Sequence, residues 1–179
     1  MTDENQPPLG HVPAPLKVYT DLRNQILTSR SIPRRGPEWP ERVWGALMEM
    51  GFPRAAATLA CLADGTTSLY LGTGGGIIGA GRQVPVEKAS VAFLHASDEF
   101  LPHLTLTKSF PLPLIDCVRF YVLSAEGVFT EEAPWKDLRG KSHELSPLYF
   151  RGDNVLTELR LLDESARRAG RSPGGPARG

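Results

Sequence analysis

Residues 55–71 read AAATLACLADGTTSLYL, and they predict the fold more strongly than any other stretch of the chain. An apolar run at 55–62 and a β-branched and aromatic run at 66–71 flank the pair Asp64-Gly65. An Asp-Gly pair between two such runs is typical of a tight β-hairpin, in which we expect both turn residues to have positive φ. The stretch therefore predicts two antiparallel strands.

The sequence after this hairpin predicts one long helix and a second hairpin. Pro85 is tolerated in the first turn of a helix, and Pro102 is expected to end that helix near the residue before it. Residues 115–124 alternate with a period of two, which is typical of a strand. A Glu-Gly pair at 126–127 then turns the chain into a further strand at 128–132.

Helices are predicted near both ends of the chain. Apolar residues recur at helical spacing over 16–29 and again over 39–50, which predicts two helices before the first hairpin. Ser146 followed by Pro147 predicts the N-cap and the first helical position of a last helix. Residues 134–145 are expected to be loop.

These elements predict an α+β domain in which helices cover an antiparallel sheet of about five strands. The fifth strand is expected around residues 77–78 or in the loop before residue 135. We expect a disordered tail at 1–15, a helix and linker at 16–37, one domain at 38–165 and a flexible basic tail at 166–179.

Composition excludes several classes of function. The chain has 179 residues with 20 basic and 20 acidic side chains, and a formal charge of zero argues against general nucleic-acid binding. It contains no apolar run of the ~20 residues that a membrane span needs. Cys61 and Cys117 lack metal-ligand spacing, so we expect a cytoplasmic protein with reduced thiols.

The stretch GTGGGIIGAG at 72–81 is the strongest candidate for ligand binding. Gly74, Gly76 and Gly79 match the spacing of the dinucleotide-binding fingerprint, but no helix is expected to start among them. Two interpretations stay open. Backbone amides around Gly74, Gly75, Gly76 and Gly79 bind an anion or small ligand, or the glycines allow strands to pack where side chains would not fit.

No catalytic or metal-binding set is predicted. His95, Glu99 and His103 would share one face of an unbroken helix, but Pro102 disturbs that geometry, so a solvated polar face is expected. The sequence predicts no cofactor, no metal ion and no catalytic residues. Enzymatic activity stays open, with a non-enzymatic role favoured.

Partner-binding residues are expected near the start of the domain and in the glycine-rich stretch. Trp39, half exposed beside Arg34 and Arg35, would be a suitable partner anchor, since Trp and Arg dominate interface hot spots. The alternative is that Trp39 packs against the start of its own helix. Ile78 is the fourth candidate contact.

The order of elements resembles the profilin-like group of folds, and most of all the roadblock and longin domains. The residues that carry the resemblance are the Asp64-Gly65 hairpin, the helix after Pro85, the strand at 118–122 and the helix after Ser146. The chain is also similar to bacterial proteins, which implies no activity.

The resemblance implies a non-catalytic, regulatory module that binds another protein, either a second copy of itself as a homodimer or a small GTPase. The rival hypothesis is a ligand-binding protein or enzyme that uses the loop at 72–81.

Overall fold

The computed structural model describes residues 10–170, which form an α+β fold. The helices are α1 (Lys17–Leu27), α2 (Val84–Glu99), α3 (Trp135–Arg139) and α4 (Ser146–Arg168). The strands are β1 (Val43–Gly51), β2 (Ala56–Leu62), β3 (Thr67–Leu71), β4 (Gly76–Ile77), β5 (Thr105–Thr107), β6 (Cys117–Ser124) and β7 (Gly127–Pro134). Short 3-10 turns at Ala80–Arg82 and Leu101–His103 flank α2.

The seven strands form one antiparallel sheet in the order β4-β3-β2-β1-β6-β7-β5. The predicted α+β class with an antiparallel sheet is confirmed, but the predicted number of about five strands is too low. Two strands account for the difference. β1 occupies a stretch predicted as helix, and β5 lies after α2, where the sequence predicts no strand. The short strand expected around residues 77–78 is present as β4.

The helix predicted over residues 39–50 is wrong, because this stretch contains strand β1. All nine residues of β1 are buried, since the strand lies between β2 and β6 at the centre of the sheet. A strand that is covered on both faces loses the alternation of apolar and polar residues that marks a half-exposed strand. The apolar residues of β1 therefore also occur at the positions that one face of a helix would need, and the sequence alone does not separate the two structures.

Strands β2 and β3 form the hairpin predicted around Asp64-Gly65. The N–H of Leu62 donates to the carbonyl of Thr66 at 2.9 Å. Gly65 has a φ of 89°, but Asp64 does not have positive φ, so only one turn residue adopts the conformation expected for both. The Asp64 carboxylate instead accepts the Thr66 N–H at 2.8 Å and closes the turn.

The two faces of the sheet pack against different helices, because successive residues of a strand point to opposite sides. Met48 of β1 faces α2 and α4, where a Cβ added to Gly152 would lie 2.6 Å from its sulfur and 3.4 Å from the Phe93 ring. The glycine thus allows α4 to approach the sheet closely. The neighbouring Glu49 points to the other face, where it meets Arg23 of α1.

A buried polar network attaches α1 to the sheet. Arg23 donates to both carboxylate oxygens of Glu49, at 2.6 Å and 2.8 Å. The Thr58 hydroxyl donates to Glu49 at 3.0 Å and lies 2.6 Å from the Tyr19 hydroxyl. Buried polar groups are costly unless they are hydrogen-bonded, so this network defines one position for α1 on the sheet.

The predicted end of α2 is correct, whereas the predicted start of α4 differs by one residue from the observed start. Helix α2 ends at Glu99, just before Pro102, as expected. Ser146, the predicted N-cap of the last helix, is instead its first residue, and Leu145 occupies the cap position without a side-chain bond. The segment expected to be loop contains the short helix α3.

The predicted tails fall partly within the described residues. His11 forms an isolated β-bridge with Leu114, and Val12 is buried, so residues 10–15 contact the rest of the fold. Helix α4 continues to Arg168. The rest of the two tails, 1–9 and 171–179, lies outside the described residues.

Candidate functional site

The first half of the glycine-rich stretch forms a tight turn between β3 and β4. The Gly74 N–H donates to the carbonyl of Leu71 at 2.9 Å, and the Leu71 N–H donates to Gly75 at 3.2 Å. Gly74, Gly75 and Gly76 have φ values of 97°, 80° and 140°, which L side chains rarely adopt. These three candidate ligand-binding residues therefore shape a hairpin turn at the sheet edge.

The second half of the stretch packs against the turn between β2 and β3. A Cβ on Gly81 would collide with the carbonyl oxygen of Gly65, so only glycine permits this approach. Gly79 has a φ of 72° and begins the 3-10 turn that leads into α2. Its N–H donates to the Ser68 hydroxyl at 3.3 Å. The turn at residues 79–81 is thus held directly beside the turn of the first hairpin.

An open cleft of about 370 Å³ lies between the Asp64-Gly65 turn and the 3-10 turn that follows Gly79, and we call it the arginine cleft. Its lining residues are Arg35, Asp64, Gly65, Thr66, Gly79 and Arg82. The volume is at the lower end of the roughly 300–1,000 Å³ that is typical of small-molecule sites. The structure brings together Arg35 and Gly79, which the sequence assigned to two different kinds of site.

The two arginines of the cleft differ in their partners. The Arg35 N–H donates to the carbonyl of Ala63 at 2.7 Å, and its guanidinium pairs with Glu87 at 3.0 Å. Arg82 forms no ion pair with any residue in the range 10–170. The cleft therefore offers one oriented and one unpaired guanidinium to solvent.

The other predicted partner-binding residues are dispersed. Trp39 is only 1% exposed, and the expectation of a half-exposed ring is wrong because this side chain joins the hydrophobic core. Its indole N–H donates to Glu38 at 3.1 Å. Arg34 pairs with Glu41 at 3.5 Å, outside the cleft lining. Ile78 is exposed and directly precedes Gly79.

Four aromatic side chains meet at the end of the sheet where β1 ends and α3 begins. The rings of Phe52 and Trp135 stack edge to face with centroids 5.1 Å apart, and those of Tyr149 and Phe150 do so at 5.3 Å. The Trp135 indole N–H donates to the Tyr149 hydroxyl at 2.9 Å and joins the two pairs. We call Phe52, Trp135 and Phe150 the aromatic surface, since Tyr149 lies buried beneath them.

Two cations lie over the aromatic surface. The Arg139 guanidinium is 4.4 Å from the centroid of the Trp135 ring, and the Lys141 ammonium is 5.6 Å from that of Phe150. Such contacts are worth about 0.5–1 kcal/mol at exposed sites. Neither cation forms an ion pair within the part of the chain that the structure describes. Both charges are therefore available to a partner.

Sequence reasoning missed the aromatic surface because its residues come from three separate segments. Phe52 follows β1, Trp135 begins α3, and Phe150 lies in α4. The local signal was the spacing of Trp135 and Arg139, which are four residues apart and therefore neighbours on a helix. The sequence analysis instead predicts loop for residues 134–145.

The candidate metal ligands do not converge. The His95 imidazole lies 2.7 Å from the carbonyl of Glu38, while His103 pairs with Glu144 at 3.0 Å. Within residues 10–170 no three side chains of His, Cys, Asp or Glu come close enough to hold a metal ion.

The buried thiol of Cys61 lies 3.6 Å from the Ser90 hydroxyl. Burial raises the pKa of Cys61 to about 12. The reactive form of cysteine is the thiolate. This arrangement therefore suits a packing residue and does not suit a nucleophile.

Comparison with known proteins assigns no relative. No family model, curated protein or solved structure matches the chain. Among the helices of residues 10–170, none combines the length and apolar character that a membrane span needs.

Proposed function

We propose that the protein is a non-catalytic protein-binding module whose partner docks on the aromatic surface. The observation that carries this proposal is the position of two exposed phenylalanine rings and the partly buried Trp135 ring beside two cations that form no ion pair within residues 10–170. Phe52 and Phe150 remain 40% and 37% exposed. Trp, Tyr and Arg are the residues most enriched in interface hot spots, and grouped apolar side chains on a surface mark interaction sites.

The chemistry of the surface favours an acidic partner segment that carries apolar side chains. Arg139 and Lys141 would pair with carboxylates of such a segment, while the rings of Phe52 and Phe150 would bury its apolar groups. Charge complementarity of this kind speeds association and selects partners. A partner with these properties would therefore be recognised by both its charge and its shape.

A second copy of the chain fits this surface less well. In a symmetric dimer the same patch faces itself, so Arg139 and Lys141 would face a patch that carries the same two cations, and like charges across an interface oppose association. A small GTPase remains a partner implied only by the roadblock and longin resemblance. We therefore propose that the aromatic surface binds a different protein. Self-association through this surface is an outcome that the test below can detect.

The test compares two charge substitutions on the same helix. Phe150→Glu places a carboxylate in the aromatic surface, and Leu161→Glu does so at another exposed apolar position of α4 that is 45% exposed. Each variant and the wild type are used as bait in extract of the native cell, and retained proteins are quantified by mass spectrometry. We expect a partner that binds the wild type and Leu161→Glu and is lost with Phe150→Glu.

Two further measurements, of thermal stability and of oligomeric state, decide how a loss of binding is interpreted. Equal thermal stability of the two variants shows that lost binding does not result from unfolding. Light scattering after gel filtration gives the oligomeric state. Retention of every captured protein by Phe150→Glu would overturn the proposal, and so would a wild-type dimer that this substitution converts to monomer.

A further inference from the structure

We propose that the arginine cleft binds the phosphate group of a small phosphorylated molecule. This site is separate from the aromatic surface and does not depend on the proposed protein partner. Arg35 and Arg82 both line an open cavity of about 370 Å³, which lies between the turn at Gly65 and the turn at Gly79. Arg35 has a structural partner in Glu87, whereas Arg82 forms no ion pair among residues 10–170 that would explain its position at the cleft.

The guanidinium groups match the geometry of phosphate oxygens. Arginine presents a planar fork of donors that binds phosphate through two parallel hydrogen bonds. One nitrogen of Arg35, Nη1, pairs with Glu87 at 3.0 Å, which leaves the other N–H groups of that fork for a ligand. Arg82 adds a second fork from the 3-10 turn before α2. Together they can contact two or three oxygens of one phosphate.

The cleft walls are fixed before any ligand binds. The backbone of Arg35 is held to the first hairpin by its bond to Ala63, and the Asp64 carboxylate closes that hairpin by accepting the Thr66 N–H. On the other wall, Gly81 packs directly against Gly65. Preorganised walls reduce the entropy lost on binding.

The lining selects an anion over other ligand classes. Arg35 and Arg82 against Asp64 and the paired Glu87 sum to a formal charge of zero. The attraction for an anion therefore comes from Arg82, which forms no ion pair among residues 10–170, and from the N–H groups of Arg35 that Glu87 does not occupy. The lining carries no large apolar side chain, which disfavours an apolar ligand. A carboxylate satisfies one guanidinium, whereas a phosphomonoester carries up to two charges and three oxygens for two guanidinium groups. Thr66 also lines the cleft, and a threonine hydroxyl can donate a hydrogen bond.

The test measures binding of ribose 5-phosphate by isothermal titration calorimetry, with ribose as the uncharged control probe. Arg82→Ala removes the unpaired guanidinium. Arg160→Ala is the matched control, because Arg160 is an exposed arginine outside the cleft that pairs with Glu164 in α4. We expect saturable one-site binding to the wild type, competition by inorganic phosphate, and no binding of ribose. Arg82→Ala should weaken binding about tenfold or more, equivalent to about 1.4 kcal/mol, with Arg160→Ala unchanged.

Three results would overturn the proposal. The first is no saturable binding of either phosphate probe by the wild type. The second is equal binding by the wild type and Arg82→Ala, and the third is an equal loss in Arg82→Ala and Arg160→Ala, which would indicate general attraction to positive charge. Arg35→Lys is a second variant that keeps a cation near Glu87. Its expected loss of affinity at unchanged melting temperature tests the fork geometry even if other variants unfold.

Discussion

Arg23 of α1 and Glu49 of β1 form a bidentate ion pair that is closed off from solvent, with nitrogen–oxygen distances of 2.6 Å and 2.8 Å. Arg23 also donates to the carbonyls of Phe110 and Pro111, at 3.0 Å and 3.2 Å. One guanidinium thus connects α1, the central strand and the loop before β6. Removing one member of such a pair leaves the other charge buried without compensation.

We therefore expect Arg23→Met to lower the free energy of unfolding by about 3–5 kcal/mol. The double variant Arg23→Met, Glu49→Leu should be less destabilised than this single variant, because it removes the unpaired charge. Lys17→Met, which breaks an exposed pair with Asp21 on the same helix, should change stability by less than about 1 kcal/mol. Urea denaturation measures all three, and similar losses for Arg23→Met and Lys17→Met would contradict the role of the buried pair.

The glycines of the 72–81 stretch should respond differently to alanine. Gly81→Ala forces a Cβ against the backbone of Gly65, and we expect a loss of about 1–3 kcal/mol from overpacking. Gly75 has open space around it, so an added Cβ clashes with nothing. We expect Gly75→Ala to lower the free energy of unfolding by about 1–2 kcal/mol, because alanine disfavours the positive φ at this position. Thermal denaturation of both variants checks this order. A more damaging Gly75→Ala would show that the turn has a constraint other than φ.

Alkaline pH should weaken the fold through its buried tyrosines. Burial, followed by the nearby Glu49 carboxylate, raises the pKa of Tyr121 to about 12 and raises the pKa of Tyr19 as well. A pKa that is higher in the folded state favours the neutral phenol there. Its contribution to stability is therefore complete below the unfolded value of about 10 and is lost as the pH rises from about 10 to about 12.

The variant Tyr121→Phe tests this pH dependence. It loses the hydrogen bond that the Tyr121 hydroxyl donates to Pro111 at 2.6 Å, so it should be less stable than the wild type at about pH 9. The difference should shrink at about pH 11, where the wild-type tyrosine also begins to cost stability. Urea denaturation at both pH values measures the free energy of unfolding of the two proteins. If the difference between them is the same at both pH values, ionisation of Tyr121 is not the cause of the alkaline loss of stability.

The two thiols should differ in reactivity. Burial raises the pKa of both thiols, but Cys61 is fully buried and stays protonated, whereas Cys117 is partly exposed at the start of β6, where a reagent reaches it. Iodoacetamide at about pH 8 should alkylate Cys117 in the folded protein and leave Cys61 unmodified. Mass spectrometry identifies the alkylated residues, and both cysteines should react once the protein is unfolded in urea. Modification of Cys61 in folded Cys117→Ser would show that the core opens locally.

The parts of the fold that sequence predicts correctly depend on local chemistry. The turn at Asp64-Gly65 and the long helix that ends before Pro102 are specified by residues within a few positions of each other. The sequence predicts a helix where strand β1 lies, because the burial of β1 on both faces comes from strands and helices far along the chain. In particular, Glu49 can occupy a central strand only because Arg23, 26 residues earlier, neutralises it.

The candidate sites show the same limit. The sequence predicts Arg35 as a partner contact beside Trp39 and Gly79 as part of the glycine-rich stretch, but only the folded chain places them around one cleft with Arg82. Trp39 is predicted to be half exposed, because the core residues that cover it lie far along the chain and carry no local signal. The aromatic surface joins three segments that share no local pattern, so its detection needed the tertiary arrangement.

The central claim is that a partner protein contacts the aromatic surface, and site-specific photocrosslinking tests it most directly. Benzoylphenylalanine is placed at Phe150 or, as the control, at Leu161, and the living native cell is irradiated. We predict a crosslink to a different protein from position 150, absent from position 161 and lost when Arg139→Glu is added. Crosslinks that are equal at both positions, or that join only copies of this chain, would contradict the claim.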